Sequence, residues 1–316
     1  MIENKKKAKE IVVRLLERLR LKPCASIDKA LNDPTVRAYL GAVQDQKGKK
    51  YFLKVRVQEI ETEKRFFWKT YVFSQIFKNH PQLAFNEKTP RLLDSSFGQE
   101  IDYFLWELIK GKDLGTRAYY DIIRLKMDEI DEVLSILKSF LEIPVKVFPK
   151  NYDYRGRAYF KKKLSDCLKL GIRKYFSSQE INQFKKIANH PLLDKYQRFF
   201  SHGDFKPNNF IRTKKGLYVV DFETSSISNQ FFDFFSIWGY AIRKPRWRAK
   251  LMEKFLAWYQ FKSREERTLF GIVKILFLMR EFGSLLYYFK RNLTQRGIKV
   301  AKRYLPQRIG ELKEAL

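Results

Sequence analysis

The sequence predicts an α+β fold with a small, β-rich N-terminal part and a large, mainly helical C-terminal part. Residues 36–43 and 50–57 have the composition of two neighbouring strands joined by a polar turn. Residues 116–200 have mainly helical patterns, and so does most of the chain beyond residue 223. With 316 residues, of which 45% are hydrophobic, the chain is long enough to form two parts with a substantial core.

The N-terminal part begins with a predicted amphipathic helix over residues 1–22. Its apolar residues follow helical spacing and therefore share one face: Ile11, Val12, Leu15, Leu16 and Leu19. Such a face packs on its own domain or lies on an anionic membrane, and we favour the first interpretation. A second helix is predicted over residues 65–79, followed by strands at 90–93 and 99–109.

The C-terminal part contains one long apolar segment, residues 268–289. Charged residues interrupt it, so a buried helix is favoured over a membrane span: Lys274, Arg280 and Glu281. The two cysteines, Cys24 and Cys167, fit no metal or redox spacing. We expect both to be free, buried thiols, which favours a cytoplasmic protein.

The formal net charge of +29 is unusually high for a chain of 316 residues. Residues 241–316 alone hold nineteen Lys and Arg against six Glu and no Asp. Such a surface attracts nucleic acid, anionic lipid or a phosphorylated substrate, but it can equally consist of solvated lysines. The segment 242–248 is basic and aromatic. It could bind phosphate or nucleic acid, with Trp247 stacked on a base. The equally favoured alternative is a solvated helix boundary.

Residues 202–223 carry the most informative pattern of the chain. Within them, residues 210–212 and 218–220 are predicted to be the two arms of a hairpin. The loop Lys214-Lys215-Gly216 has the glycine that a three-residue hairpin closure uses in its left-handed position. The hairpin therefore brings the polar residues that flank it toward each other.

Pairing of the two arms places Asn209 opposite Asp221, and directly opposed residues of antiparallel strands lie about 5 Å apart. An amide oxygen and a carboxylate suit Mg²⁺, which takes few protein ligands and completes its shell with water and phosphate. Asp204 lies in the same loop as Asn209 and is free to accept a proton. A base and two metal ligands in this order are the parts used in phosphoryl transfer by kinases.

The same stretch contains the pattern H-G-D-x-x-x-x-N, then a hairpin, then D-[FW]-E. Its residues are His202-Gly203-Asp204, Asn209 and Asp221-Phe222-Glu223. This pattern resembles the catalytic segment of the aminoglycoside phosphotransferase and choline kinase-like family, which has a two-lobed protein kinase-like fold. The resemblance implies transfer of the γ-phosphate of ATP, with Mg²⁺, to a hydroxyl group of a small molecule or glycan.

The resemblance also implies roles for individual residues. Asp204 orients the acceptor hydroxyl and accepts its proton, while Asn209 and Asp221 hold Mg²⁺. Lys206 stands where protein kinases place a lysine near the transferring phosphate. Asp233 matches an acidic position that hydrogen-bonds the catalytic loop, which agrees with the high cost of burying an unpaired acid.

On the nucleotide side, the resemblance assigns the phosphate-binding lysine to Lys54, which lies inside an apolar strand. Two features depart from the family. No G-x-G-x-x-G loop precedes Lys54, and Lys69 stands where the glutamate partner of this lysine is expected on the next helix. Glu63, at the start of that helix, is the remaining choice of partner.

Residues 101–111 resemble the edge strand and hinge of the family. There the Glu107 carbonyl and the Ile109 amide are expected to bind adenine, with Trp106 as a wall of the pocket. An ordinary strand and turn is the alternative. We therefore set the domains at residues 1–106 for the N-terminal lobe and 107–316 for the C-terminal lobe with the hinge, catalytic loop and acceptor pocket.

The expected function is that of a cytoplasmic ATP- and Mg²⁺-dependent phosphotransferase. Because a +29 chain repels cationic aminoglycosides, the acceptor is expected to be neutral or anionic. One alternative is a sugar kinase of the lipopolysaccharide-core type that works at a membrane surface. Another is a pseudokinase whose basic C-terminal region binds nucleic acid or an anionic membrane.

Overall fold

The computed structural model describes residues 2–31, 38–58, 60–115, 123–291 and 295–316. Contacts divide the chain into two compact units, Met1–Gly111 with Tyr218–Thr224, and Lys112–Leu217 with Ser225–Leu316. The division follows Gly111, whereas the sequence placed its boundary after residue 106; that boundary stays a prediction.

The first unit is built around a five-stranded antiparallel sheet with two longer helices. Its elements are α1 (Ile2–Arg18), β1 (Lys22–Pro23), α2 (Ile27–Ala30), β2 (Ala38–Gln44), β3 (Lys50–Arg56), α3 (Glu61–Asn79), β4 (Leu92–Ser96) and β5 (Tyr103–Glu107). The strand order is β1-β2-β3-β5-β4. The predicted strand pair is present as β2 and β3, and residues 36 and 37 of the first prediction lie outside the described residues.

The predicted N-terminal helix packs on its own unit. Val12 and Leu15 of α1 are fully buried, in one hydrophobic cluster with Tyr39 and Leu53 of the sheet. The apolar face of α1 is therefore covered by protein, as the favoured interpretation predicted. Burial of a side chain of this size contributes about 1.5–3 kcal/mol, which ties the helix to the sheet.

The second unit is mostly helical. Its elements are β6 (Lys112–Asp113), α4 (Ile130–Leu141), α5 (Arg157–Lys169), α6 (Ser178–Ala188), α7 (Leu192–Lys195), β7 (Phe199–Ser201), β8 (Phe210–Thr213), β9 (Gly216–Val219), β10 (Ser226–Ser228), α8 (Phe232–Tyr240), α9 (Pro245–Trp258), α10 (Arg264–Arg291) and α11 (Gln295–Ala315). β9 crosses the division between the units. The small sheets have the orders β6-β8-β9 and β10-β7. Residues 116–122 of the predicted helical stretch lie outside the described residues.

The predicted hairpin is present as β8 and β9, with Lys214-Lys215 as its turn rather than the three residues that the sequence suggested. Gly216 opens β9 with φ +110°, a conformation that favours glycine. A side chain there would also approach the Glu132 carboxylate to 2.2 Å. The backbone conformation therefore favours glycine here, whereas the Glu132 carboxylate ends a flexible side chain and can shift.

The apolar segment 268–289 lies inside α10, as predicted, and none of the described helices is long and apolar enough to cross a membrane. The basic-aromatic segment 242–248 spans the start of α9, where Arg243 and Arg246 are exposed, whereas Trp247 and Arg248 are buried. Trp247 is 2% exposed and donates to the Lys126 carbonyl at 2.9 Å, so it is not available to stack on a base. Arg248 is also buried and lies 3.4 Å from the centroid of the Trp238 ring.

The two cysteines are free, but they differ in exposure. Cys167 is buried, with its thiol 3.6 Å from the Met279 carbonyl, and burial raises the pKa of this thiol to about 12. Cys24 is exposed, so the expectation of two buried thiols was wrong for this residue. It directly follows β1, a two-residue strand at the edge of the sheet.

Candidate active site

The H-G-D loop of the second unit is held by hydrogen bonds to its backbone. β7 leads into the loop, and Gly203 turns it with φ +80°. Asp233, in the first turn of α8, accepts from the Ser201 hydroxyl (3.0 Å), the His202 N–H (2.7 Å) and the Gly203 N–H (3.0 Å). The predicted role of Asp233 is confirmed: this acid fixes the loop.

The surroundings of Asp233 explain why it has so many donors. The residue is 5% exposed, and burial raises the pKa of its carboxyl, while His202 and the hydrogen bonds from the loop act in the opposite direction. A buried acid without such donors would cost several kcal/mol. The hydrogen bonds to the loop therefore stabilise the acid and the loop together.

Arg155 supports the same loop from the other side. Its buried guanidinium donates to the Gly203 carbonyl at 3.0 Å and lies over the ring of Phe232, 5.4 Å from the centroid. The sequence reasoning missed this residue. Arg155 precedes α5 in an aromatic, loop-like segment, and nothing in the local pattern indicates a contact with a residue 48 positions away.

The loop brings together three residues that the sequence assigned to the site. The Lys206 ammonium lies 2.5 Å from Asp204 Oδ2. Asn209 Nδ2 donates to the Asp204 carbonyl (2.8 Å) and to Asp204 Oδ2 (3.2 Å). Asn209 is 4% exposed, whereas the Asp204 side chain keeps 22% of its surface exposed. An accessible carboxylate thus stands between a cation and an amide.

The first unit contains the other charged cluster, around Lys54 of β3. Lys54 is 8% exposed, forms an ion pair with Glu223 and lies 3.9 Å from Asp221 Oδ1. Burial lowers the pKa of this ammonium, but the charges of Glu223, Asp221 and Glu63 outweigh that effect, so the pKa is raised. Lys54 is therefore a firmly charged lysine inside an acidic cluster.

The acidic partners of Lys54 differ from the sequence expectation. Glu63, in the first turn of α3, is buried and contributes its charge. The ion pair with Glu223 was not foreseen, although Glu223 was already visible as the last residue of the D-F-E motif. The two residues are 169 positions apart in sequence, so only the fold shows the pair.

The backbone of the D-F-E segment has an unusual conformation. Asp221 has φ +71°, in the left-handed region that glycine enters readily and asparagine and aspartate enter occasionally. Phe222 is buried and stacks on Phe73 of α3 at 3.9 Å, with Phe85 at its edge. This packing holds the strained residue, whose side chain is 42% exposed. Backbone strain of this kind commonly accompanies function.

The predicted hinge residues lie at and beyond the end of β5. Trp106 is opposite Phe52 of β3, and Phe104 is opposite Lys54, so Lys54 and these three aromatic side chains share one face of the sheet. The Glu107 carboxylate accepts from the Arg91 N–H at 3.0 Å. Ile109 follows the strand. Binding of adenine by the Glu107 carbonyl and the Ile109 amide stays a prediction.

The oxygen donors of the site fit a hard cation. Asp221 offers a partly exposed carboxylate, and Asn209 offers an amide oxygen, which are the donor types that Mg²⁺ prefers. Within the described ranges there is no group of three or more His, Cys, Asp or Glu placed to hold a metal. Asp221 and Asn209 belong to different units, and their joint binding of Mg²⁺ stays a prediction.

Comparisons with known proteins assign the chain to a family. The model of the phosphotransferase enzyme family, APH, matches residues 14–269. The chain belongs to this family. No curated protein sequence matches this phosphotransferase.

Solved structures resemble the phosphotransferase over most of its length. Amicoumacin kinase hAmiN, in complex with AMP-PNP, Ca²⁺ and Ami, has a TM-score of 0.62 at 12% identity and covers 98% of this chain and 95% of its own. An aminoglycoside phosphotransferase from Alicyclobacillus acidocaldarius has a TM-score of 0.60 at 12% identity, with coverage of 87% and 89%. Choline kinase LicA from Streptococcus pneumoniae has a TM-score of 0.54 at 16% identity, with coverage of 95% and 98%. These similarities confirm the two-lobed, kinase-like α+β fold of the phosphotransferase.

Proposed function

We propose that this phosphotransferase moves the γ-phosphate of ATP, with Mg²⁺, to a hydroxyl of a small molecule or glycan that is neutral or anionic. The observation that carries the proposal is the grouping of Lys206, Asp204 and Asn209 on a loop that Asp233 holds in place. Family membership supports phosphoryl transfer to small molecules. It favours an enzyme over the alternative of a binding module.

Asp204 accepts the proton of the acceptor hydroxyl in this proposal. Its carboxylate is accessible, and its position is fixed by Asn209 and by the backbone of the loop. Lys206, in contact with the same carboxylate, can stabilise negative charge that develops on the transferring phosphate. Positioning and electrostatics of this kind account for most of catalysis in phosphoryl transfer.

Asn209 and Asp221 are the residues proposed to hold Mg²⁺, which neutralises phosphate charge when it is bound. Lys54 is proposed to contact the α- and β-phosphates, since its charge is secured by Glu223, Asp221 and Glu63. Trp106 shares a sheet face with Lys54, which supports an adenine pocket bounded by Trp106, Glu107 and Ile109. ATP use is also in line with the AMP-PNP in the structurally similar amicoumacin kinase.

The acceptor differs in charge from those of the drug-modifying relatives. The net charge of +29 disfavours cationic aminoglycosides, so a sugar, a lipid-linked glycan or a hydroxyl on a larger anion fits better. A sugar kinase of the lipopolysaccharide-core type, at a membrane surface, remains the second candidate, and the basic composition of residues 241–316 is what favours it.

The experiment is a γ-phosphate transfer screen over sugars, amino alcohols and lipid glycans, with radiolabelled ATP and Mg²⁺. Asp204→Asn is the control, because it keeps the shape of the loop but cannot accept a proton. We expect transfer by the wild type and a loss of about 10²–10⁴-fold in kcat for the variant. Equal rates for the two proteins would contradict the role of Asp204.

A further inference from the structure

A group of cationic side chains surrounds the phenol of Tyr159 in the second unit. Tyr159 and Lys163 are one turn apart on α5, and the Lys163 ammonium lies 5.5 Å from the centroid of the Tyr159 ring. The Arg155 guanidinium lies 5.1 Å from the same centroid, and Arg280 of α10 lies over the same Phe232 ring as Arg155. We call Arg155, Tyr159, Lys163 and Arg280 the Tyr159 cluster.

The cluster has an excess of positive charge. Burial raises the pKa of the Tyr159 hydroxyl, yet the charges of Arg280, Arg155 and Lys163 outweigh burial, and the pKa is lowered. Arg280 also lies 3.4 Å from the buried Glu281 carboxylate, which offsets part of this charge. These side chains thus comprise three cations and one carboxylate.

The cluster is partly shielded from water. Arg155 is 8% exposed and the Arg280 side chain 10%, whereas Tyr159 and Lys163 are partly exposed. The Phe232 ring underlies both arginines, 5.4 Å from Arg155 and 5.9 Å from Arg280. Arginine and lysine donors over an apolar floor bind an oxyanion more strongly than they do in water.

The cluster is also connected to the catalytic loop. Arg155 donates to the carbonyl of Gly203, the residue before Asp204. Arg155 is therefore a member of the Tyr159 cluster and also contacts the loop that carries Asp204, the proposed base. A substrate anion bound at the cluster would lie beside this loop within the same unit.

We propose that the Tyr159 cluster binds an oxyanion of the phosphate acceptor, a phosphate or carboxylate group, and so selects anionic acceptors. This inference rests on the proposed function and narrows its acceptor to an acidic or phosphorylated sugar or alcohol. Lys163 and the arginines supply charge and N–H donors, and the Tyr159 hydroxyl supplies one further donor.

The first test measures anion binding by the full-length protein without any transfer reaction. Sulfate is titrated against chloride at constant ionic strength, and the melting temperature is recorded. The wild type should show a saturable rise with sulfate, whereas Lys163→Gln should raise the half-saturating concentration about tenfold. Lys162→Gln, an exposed neighbour on α5, should behave like the wild type.

Tyr159→Phe provides a second variant that removes one donor and keeps the packing of the ring. It should weaken sulfate binding less than Lys163→Gln does. An equal response to sulfate and chloride, or an unchanged response in Lys163→Gln, would overturn the proposal and leave the cluster with a structural role only.

The second test compares glucose 6-phosphate, glucuronate and glucose as acceptors. We expect the two anions to have the lower KM, and Lys163→Gln to raise their KM at least tenfold with kcat unchanged. The two anions also show whether phosphate or carboxylate is preferred. Preference for glucose, unaffected by Lys163→Gln, would contradict the proposal.

Failure of the proposed function is distinguishable from failure of this inference. A protein that Mg-ATP does not stabilise and that transfers phosphate to none of the acceptors lacks the proposed activity. The sulfate titration needs neither ATP nor turnover, so its outcome decides on the oxyanion site independently.

Discussion

The two charged segments of the candidate site are held in different ways. The H-G-D loop is fixed through its backbone, because Asp233 accepts the N–H groups of His202 and Gly203, and Arg155 donates to the Gly203 carbonyl. The D-F-E segment is held through side chains. Asp221 and Glu223 interact with the Lys54 ammonium, and Phe222 packs on Phe73.

The H-G-D loop is thus held by hydrogen bonds within the protein, whereas the D-F-E segment is held by charged groups that are also proposed to bind the substrate. These hydrogen bonds hold the backbone of the H-G-D loop without any substrate, which would position Asp204, the proposed base, in advance. Asp221 and Lys54, by contrast, are proposed to bind Mg²⁺ and phosphate, yet they contribute to the same ionic cluster. If these residues bind Mg-ATP as proposed, the ligand would replace contacts within this cluster.

The largest effect on stability is expected for Asp233→Ala. The change leaves three buried donors of the loop without their acceptor, and we expect the free energy of unfolding to fall by about 3–5 kcal/mol. Chemical denaturation measures the loss. Asp131→Ala is the control, because Asp131 is 71% exposed in its pair with Lys254 and should cost at most about 1 kcal/mol. Equal losses would show that the loop does not depend on Asp233.

A smaller effect is expected for Glu223→Gln. The variant removes the ion-pair partner of the buried Lys54, but the charges of Asp221 and Glu63 remain, so we expect a loss of about 1–3 kcal/mol in denaturation. Glu265→Gln removes an exposed partner, that of Lys195, and should be nearly neutral. If both variants were neutral, the side-chain cluster would not be what holds the D-F-E segment.

The smallest change in stability is expected for Gly203→Ala, which strains a backbone with φ +80° by about 1–2 kcal/mol. Gly48→Ala imposes a similar strain, at φ +77° in the turn before β3, where no atom lies near the added methyl. We expect similar melting temperatures for the two variants but reduced phosphate transfer only for Gly203→Ala. Equal activities would contradict the view that the loop must be rigid.

The parts of this molecule that the sequence could predict are those with a local pattern. Strand-like composition on both sides of a polar turn indicated the strands around Lys54, and turn residues indicated the hairpin after Asn209. Asp233 was assigned through the resemblance to the family, and the high cost of burying an unpaired acid among phenylalanines agreed with its structural role. Each of these signals lies within a few neighbouring residues.

The contacts that sequence could not predict join distant segments. Lys54 and Glu223 are 169 positions apart, and Arg155 and Gly203 are 48 apart. Trp247 looked like a residue for stacking on a base, yet tertiary packing buries it. Such contacts depend on how helices pack, and neither composition nor periodicity records that packing.

The most direct test of the account is the melting temperature of the full-length protein with Mg-ATP, for the wild type and Asp221→Asn. Asparagine tolerates the left-handed conformation of this position, so the variant removes the charge and keeps the backbone. We predict a saturable rise for the wild type, about 2.7 kcal/mol of stabilisation at a hundredfold excess over Kd. Most of it should be lost in Asp221→Asn and when EDTA removes Mg²⁺. A wild type that Mg-ATP does not stabilise, or a variant that responds equally, would contradict the account.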